Sequence, residues 1–149
     1  MGKFQRIRKR VKTNLKAYKF GLSNIGNLTR FMKVAPSDEE TKNVPSMTVF
    51  EAKEKIDKNA LYVIDVRSEG DFANAHIEGS RQMTIFEFED ESIYDSFPKD
   101  GEIGVLCYGG GASMTITQML VNKGFDAKNI EGGIIRYALD VDTKLLGDL

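Results

Sequence analysis

One segment joins a short apolar run to a cysteine, three glycines and the start of a helix: Val105-Leu106-Cys107-Tyr108-Gly109-Gly110-Gly111-Ala112-Ser113. In open α/β sheets, ligands bind at the carboxyl ends of the parallel strands. Glycines allow successive backbone N–H groups to point inward, and a following helix adds its free N–H groups and the positive end of its dipole. The segment therefore predicts an anion-binding loop at a strand end, with Cys107 beside it.

Such a loop favours the thiolate of Cys107, which is the nucleophilic form, and is equally suited to a persulfide anion or a bound oxyanion. The alternative is an inert buried cysteine, since cysteine is among the most buried residue types. Three glycines directly after Cys107 favour the reactive role, because a structural thiol does not require them.

Two other uses of a glycine-rich loop fit poorly. A nucleotide-binding loop needs the Lys-Ser/Thr pair or the dinucleotide glycine spacing, and residues 109–111 are followed by neither. A cysteine-dependent phosphatase needs a cation for the transferring phosphoryl group, and residues 107–118 contain no Arg or Lys. Both functions are disfavoured.

Short apolar runs alternate with helical patterns through the second part of the chain, which predicts an α/β fold with a central parallel sheet and helices on both faces. The expected strands are residues 61–66, 83–86, 103–106 and 127–130. The expected helices follow Thr48, which has capping-box spacing to Glu51, and span residues 68–75, 112–122 and 133–139. The acidic residues 87–95 are expected to face solvent.

Charge divides the chain into two parts. Residues 1–45 hold 11 Lys and Arg against three acids, and residues 46–149 hold 10 against 19. We therefore expect a basic extension and linker over residues 1–45 and one domain over residues 46–149. The absence of an 18-residue apolar run argues against a transmembrane span.

Apolar residues recur every three or four positions from Phe4 to Leu22, between Lys and Arg, which is the pattern of a basic amphipathic helix. Three interpretations stay open: an organelle transit peptide, a segment that contacts an anionic membrane surface or nucleic acid, and a solvated or self-docking helix. A single cysteine and the lack of a secretory signal indicate a cytoplasmic protein, or a mitochondrial matrix protein if the segment is a transit peptide.

Three motifs in order resemble the signatures of the rhodanese family over essentially all of residues 46–149. They are Asp65-Val66-Arg67 with Phe72 and His76-Ile77-Glu78-Gly79-Ser80, then the Cys107 loop, then Gly124-Phe125 and Glu131-Gly132-Gly133-Ile134. The loop is most similar to that of small single-domain thiosulfate sulfurtransferases.

The resemblance implies a sulfurtransferase in which Cys107 takes sulfane sulfur from thiosulfate or a protein persulfide and passes it to a thiol or cyanide. It requires no cofactor and no metal. The implied substrate-binding residues are Tyr108, Gly109, Gly110, Gly111, Ala112 and Ser113, mainly through backbone amides, with a hydrogen bond from the Ser113 hydroxyl. Many relatives carry arginine where this chain has Tyr108 or Ala112, which favours a protein persulfide over thiosulfate as donor.

Asp65 and Arg67 are expected to form a structural ion pair near the site, because a buried arginine is usually paired. His76, the only histidine, is expected to be structural, and one histidine with one distant cysteine makes no metal site. The alternatives to an enzyme are a rhodanese-fold interaction module and a redox sensor that oxidises at Cys107.

Overall fold

The computed structural model describes residues 25–149, in which five parallel strands form one sheet. The helices are α1 (Ile25–Val34), α2 (Val49–Asp57), α3 (Glu69–Asn74), α4 (Gly111–Asn122) and α5 (Gly133–Asp140). The strands are β1 (Ser46–Met47), β2 (Tyr62–Asp65), β3 (Arg81–Gln82), β4 (Glu102–Leu106) and β5 (Asp126–Ile130). Short 3₁₀ helices span Ile85–Glu89, Glu91–Ser96 and Thr143–Gly147.

The strand order is β1-β5-β4-β2-β3, so β4 lies in the middle of the sheet. It pairs with β2 in the register Asp65 to Leu106 and with β5 in the register Val105 to Asn129. The carboxyl ends of these strands meet at one edge of the sheet. Cys107, the first residue after β4, therefore lies at the centre of that edge.

Side chains on the two faces of the sheet enter two separate apolar clusters. One contains Ile64, Ile103 and Val105 and packs against residues of α4, such as Ile116. The other contains Val63 and Leu106 and packs against residues of α2 and α5. Helices on both faces and an all-parallel sheet confirm the predicted fold class.

Local signals at the helix ends account for several boundaries. The Thr48 hydroxyl and the Glu51 carboxylate form a complete capping box at the start of α2. Asn59 follows the end of α2 with a φ of 52°, the left-handed conformation that asparagine tolerates. Gly124 follows the end of α4 and is also in the left-handed conformation, with a φ of 89°. Both residues therefore end their helices in the left-handed conformation.

The predicted strand over residues 83–86 is wrong. The third strand is the dipeptide Arg81–Gln82, and a 3₁₀ helix begins at Ile85. The reason is a second capping box, in which the Glu87 carboxylate accepts hydrogen bonds from the Thr84 backbone N–H and hydroxyl. This contact turns the chain out of the sheet.

The acidic segment after it is only partly as expected. Glu87, Glu91 and Asp95 are exposed, but Phe88 and Tyr94 are buried in the core. The segment therefore covers one face of the sheet instead of forming a solvated loop.

The described part of the predicted extension packs against the domain. Phe31 in α1 is 1% exposed and joins the cluster that contains α4, with an edge-to-face contact to Phe86. Ala35 and Val44 in the predicted linker are also buried. The boundary at residue 46 stays a prediction.

The basic amphipathic pattern of residues 4–22 lies outside the described residues, and both proposed cellular locations stay predictions. Within residues 25–149, no helix is long and apolar enough to cross a membrane.

Candidate active site

Cys107 is 1% exposed and lies between the end of β4 and the start of α4. Its Sγ accepts a hydrogen bond from the Gly110 backbone N–H at 2.9 Å and lies 3.2 Å from the Ser113 Oγ. Two polar groups of the loop thus converge on the sulfur. The Ser113 hydroxyl lies beside Sγ itself, and its hydrogen bond to a persulfide on Cys107 stays a prediction.

Gly110 gives the loop its shape. Its φ of 102° is in the left-handed region that side chains avoid, and it caps the N-terminus of α4. The turn at Gly110 directs its N–H back toward the cysteine three residues earlier. A glycine after the strand is therefore needed for the hydrogen bond to Sγ.

The glycines that begin α5 pack against the backbone of the loop. The Ile134 N–H donates to the Cys107 carbonyl at 2.9 Å, and the Ile135 N–H donates to the Tyr108 carbonyl at 3.3 Å. A Cβ on Gly133 would lie 2.4 Å from that Cys107 carbonyl oxygen. The first free N–H groups of α5 thus hold the Cys107 and Tyr108 carbonyls on the α5 side, and Gly133 makes the approach feasible.

A buried polar chain continues from Ser113 to the neighbouring strand. The Ser113 Oγ lies 2.5 Å from the Asn129 Oδ1, and the two residues are 0% and 4% exposed. Asn129 is in β5, opposite Val105, and so faces the helix that carries Ser113. Sequence reasoning missed Asn129; the available signal was an amide side chain one residue before the end of a predicted strand.

The expected ion pair between Asp65 and Arg67 is present and fully buried. Nε and Nη2 of Arg67 donate to both carboxylate oxygens at 2.7 to 3.1 Å. Nη2 also donates to the Ala75 carbonyl at 2.6 Å. The pair therefore ties the carboxyl end of β2, beside the end of β4, to the segment after α3.

The other predicted residues line the loop or lie away from it. Gly109 is exposed, Tyr108 and Gly111 are half-buried, and Ala112 is buried. The Tyr108 side chain packs against both apolar clusters. His76 stacks on Phe72, with ring centroids 4.0 Å apart, and its Nδ1 lies 2.8 Å from the Phe72 carbonyl oxygen, which is a structural contact.

Residues 25–149 contain no group of three or more His, Cys, Asp or Glu side chains that is suited to a metal ion. The chemistry available at the described site is that of a thiol with one backbone N–H and one serine hydroxyl within hydrogen-bond distance.

This arrangement of a cysteine, a glycine-rich loop and a parallel sheet is that of a rhodanese-like protein. The sequence model of the rhodanese-like domain family matches residues 48–139 of this chain, and the chain therefore belongs to that family.

Curated relatives carry sulfurtransferase names. Thiosulfate sulfurtransferase GlpE of Stutzerimonas stutzeri is 33% identical over 72 residues, covering 48% of this chain and 64% of that protein. Thiosulfate sulfurtransferase GlpE of Pseudomonas putida strain F1 is 29% identical over 99 residues, covering 63% of this chain and 82% of that protein. The tRNA sulfurtransferase of Desulfurococcus amylolyticus is 29% identical over 75 residues, and the match spans only 14% of that longer protein.

Solved structures agree with the fold. A rhodanese-related protein from Thermoplasma volcanium has a TM-score of 0.60 at 24% identity, covering 65% of this chain and 93% of that chain. An NAD-dependent persulfide reductase from A. fulgidus has a TM-score of 0.51 at 31% identity, covering 63% of this chain and 16% of that chain.

Proposed function

We propose that this protein is a sulfurtransferase that carries sulfane sulfur as a persulfide on Cys107. The observation that carries the proposal is the contact of Sγ with both the Gly110 N–H and the Ser113 Oγ at the end of the central strand. These groups stabilise negative charge on sulfur, which both the attacking thiolate and the persulfide anion require. The sulfurtransferase names of the relatives support the same reaction class.

The first step transfers one sulfur atom to the enzyme. The Cys107 thiolate attacks the outer sulfur of the donor, a new S–S bond forms, and the donor's S–S bond breaks. The leaving group takes the bonding electron pair and departs as sulfite from thiosulfate, or as a thiolate from a persulfide. The outer sulfur on Cys107 then carries the negative charge.

The second step regenerates the thiolate. An acceptor thiolate or cyanide attacks the outer sulfur of the persulfide, and the electron pair of the S–S bond returns to the Sγ of Cys107. The products are an acceptor persulfide or thiocyanate. Donor and acceptor therefore react in turn in a ping-pong cycle, with no net oxidation and no cofactor.

A protein persulfide is the donor that we favour over thiosulfate. Thiosulfate carries two negative charges, and residues 107–118 provide no cationic side chain to bind them. The similarity to a persulfide reductase is consistent with this choice. Because Cys107 is 1% exposed, the donor has to displace part of the loop rim to reach Sγ.

Intact-mass spectrometry tests the proposal. The purified protein is exposed briefly to thiosulfate, to mercaptopyruvate or to a persulfide-loaded cysteine desulfurase, beside a Cys107→Ala control. We expect the mass of one sulfur atom to be gained with the protein donor, lost again on addition of a thiol, and absent from the control. No gain with any of the three donors would overturn the proposal.

The second candidate is an interaction or redox-sensing module with the rhodanese fold. The burial of Cys107 favours the interaction module, since a closed loop restricts turnover. For either kind of module, all sulfur donors should leave the thiol unchanged. For a redox sensor, dilute peroxide should in addition oxidise Cys107 to a sulfenic acid that dimedone traps.

A further inference from the structure

Ser113 has one hydroxyl proton and two acceptors within reach. Its Oγ is 2.5 Å from the Asn129 Oδ1 and 3.2 Å from the Cys107 Sγ. A hydroxyl donates one hydrogen bond at a time, so it cannot serve both acceptors. Because the 2.5 Å contact is the shorter of the two, we assign the proton to the Asn129 side when Cys107 is a neutral thiol, which leaves an Oγ lone pair facing the sulfur.

That arrangement suits the neutral thiol but not the anion. A thiol S–H can donate to the Ser113 Oγ, whereas a thiolate or persulfide anion needs the Ser113 O–H to point at sulfur. Once the proton turns to sulfur, the Oγ needs a donor on its other side. An amide supplies one by a half-turn, which exchanges Oδ1 for the Nδ2–H₂ group.

We infer that Asn129 is a positioning residue for sulfur transfer, whose amide sets the direction of the Ser113 hydroxyl according to the charge on Cys107. With the thiol, Asn129 accepts from Ser113. With the thiolate or persulfide, it donates to Ser113 and Ser113 donates to sulfur. The role of Asn129 in turnover rests on the proposed function. The hydrogen-bond switch itself requires only that the Cys107 thiol ionises.

The surroundings of Asn129 hold its backbone in place. Strand β5 lies between β1 and β4, and the Asn129 N–H donates to the Pro45 carbonyl at 2.8 Å. Ser113 is likewise fixed in the first turn of α4. The switch therefore needs only a rotation of the Ser113 hydroxyl and a half-turn of the Asn129 amide. No proton leaves the Ser113–Asn129 pair.

Asn129→Asp separates the two states. When ionised, the new carboxylate only accepts, so it retains the Ser113 proton and withholds it from sulfur. We expect persulfide formation and iodoacetamide alkylation at fixed pH to be roughly 10- to 100-fold slower, and the pH at which alkylation accelerates to rise. Thr117→Val is the matched control, because it removes a buried hydrogen bond to the Ser113 carbonyl but leaves the hydroxyl in place.

A double-mutant cycle with Ser113→Ala distinguishes positioning from packing. If Asn129 acts through Ser113, Asn129→Asp slows alkylation much less in the Ser113→Ala background than in the wild-type background, because only the repulsion between the new carboxylate and the thiolate remains there. If the two substitutions multiply, or if Thr117→Val slows alkylation as much as Asn129→Asp does, the inference is wrong. Thermal unfolding of all variants checks that they are folded.

The alkylation arm also separates this inference from the proposed function. A wild-type protein that accepts sulfur from no donor refutes the sulfurtransferase, while the alkylation cycle still tests the switch. Normal persulfide formation and normal alkylation in Asn129→Asp would refute the switch and leave the sulfurtransferase intact.

Discussion

Gly133 is the residue on which the geometry of the loop depends most directly. It has a φ of 62°, and a Cβ there would lie 2.4 Å from the Cys107 carbonyl oxygen and 2.5 Å from that of Tyr108. Those carbonyls accept the first hydrogen bonds of α5. Any side chain at Gly133 therefore displaces the backbone that positions Sγ.

We predict that Gly133→Ala lowers the free energy of unfolding by about 2 to 5 kcal/mol, from left-handed strain and overpacking together. Sulfur loading of Cys107 should slow as well, because the loop start moves. Gly124→Ala is the control, since it has a φ of 89° but open space around the added Cβ. Urea unfolding of both variants separates left-handed strain from overpacking. Equal losses in the free energy of unfolding would show that the clash at Gly133 is relieved at no cost.

The stability of the fold also depends on the buried ion pair of Asp65 and Arg67. Asp65→Asn keeps the shape but leaves a fully buried guanidinium without a countercharge, so we expect a loss of about 3 to 5 kcal/mol. Asp57→Asn removes the partner of Lys53 in an exposed pair and should cost less than about 0.5 kcal/mol. Similar midpoints for the two variants in urea would contradict a structural role for the buried pair.

The residues of the loop could be predicted from the sequence, whereas Asn129 could not. Cys107, Gly110 and Ser113 lie within one segment of seven residues, so a local pattern contains their chemistry. Asn129 reaches Ser113 only through the pairing of β5 with β4, and a sequence does not state which strands are neighbours. The same holds for Gly133, whose contact with Cys107 joins segments that are 26 residues apart.

At the scale of elements, charge and composition do not reveal that α1 packs against the domain. Its residues follow a strongly basic segment, yet Phe31 enters the core beside Phe86, and Arg30 pairs with Glu89. The 3₁₀ helix Ile85–Glu89 provides the surface for this contact. The sequence predicts a strand over the overlapping residues 83–86, because a short apolar run does not reveal its periodicity.

We predict that α1 is an integral part of the folded unit. Phe31→Ala should lower the free energy of unfolding by about 3 to 5 kcal/mol, as expected for truncation of a buried phenylalanine. Val34→Ala, at a residue 48% exposed on the same helix, should change it by less than about 0.5 kcal/mol. Wild-type stability in Phe31→Ala would show that α1 does not stay docked in solution.

At the scale of the whole molecule, the carboxyl ends and the amino ends of the strands carry different kinds of contact. The carboxyl edge gathers Cys107, Asn129 and the buried ion pair, and the opposite edge holds the elements together. There Glu102, at the start of β4, accepts hydrogen bonds from Lys55 of α2 and Lys128 of β5. One carboxylate thus connects a helix and two strands.

Acid should weaken the fold through Glu102. Burial alone raises the pKa of this carboxyl, but the hydrogen bonds and charges of Lys128 and Lys55 outweigh it and hold the pKa below 4.5. A folded-state pKa below the unfolded value adds stability above the unfolded pKa, and that stability is lost as the pH falls through the folded pKa. We therefore expect Glu102→Gln to cost about 1 kcal/mol at neutral pH, and we expect this cost to disappear as the pH falls through the folded-state pKa of Glu102.

Urea unfolding of wild type and Glu102→Gln at a series of pH values measures this difference. The two stability curves should converge as the pH falls below the ordinary pKa of a glutamate and then through the lowered folded-state pKa of Glu102. Glu54→Gln provides the control, because Glu54 pairs with Lys58 on the exposed side of α2, where solvent screens the charges. A constant gap between wild type and Glu102→Gln at all pH values would assign the loss to packing, since protonation of a packing residue changes nothing.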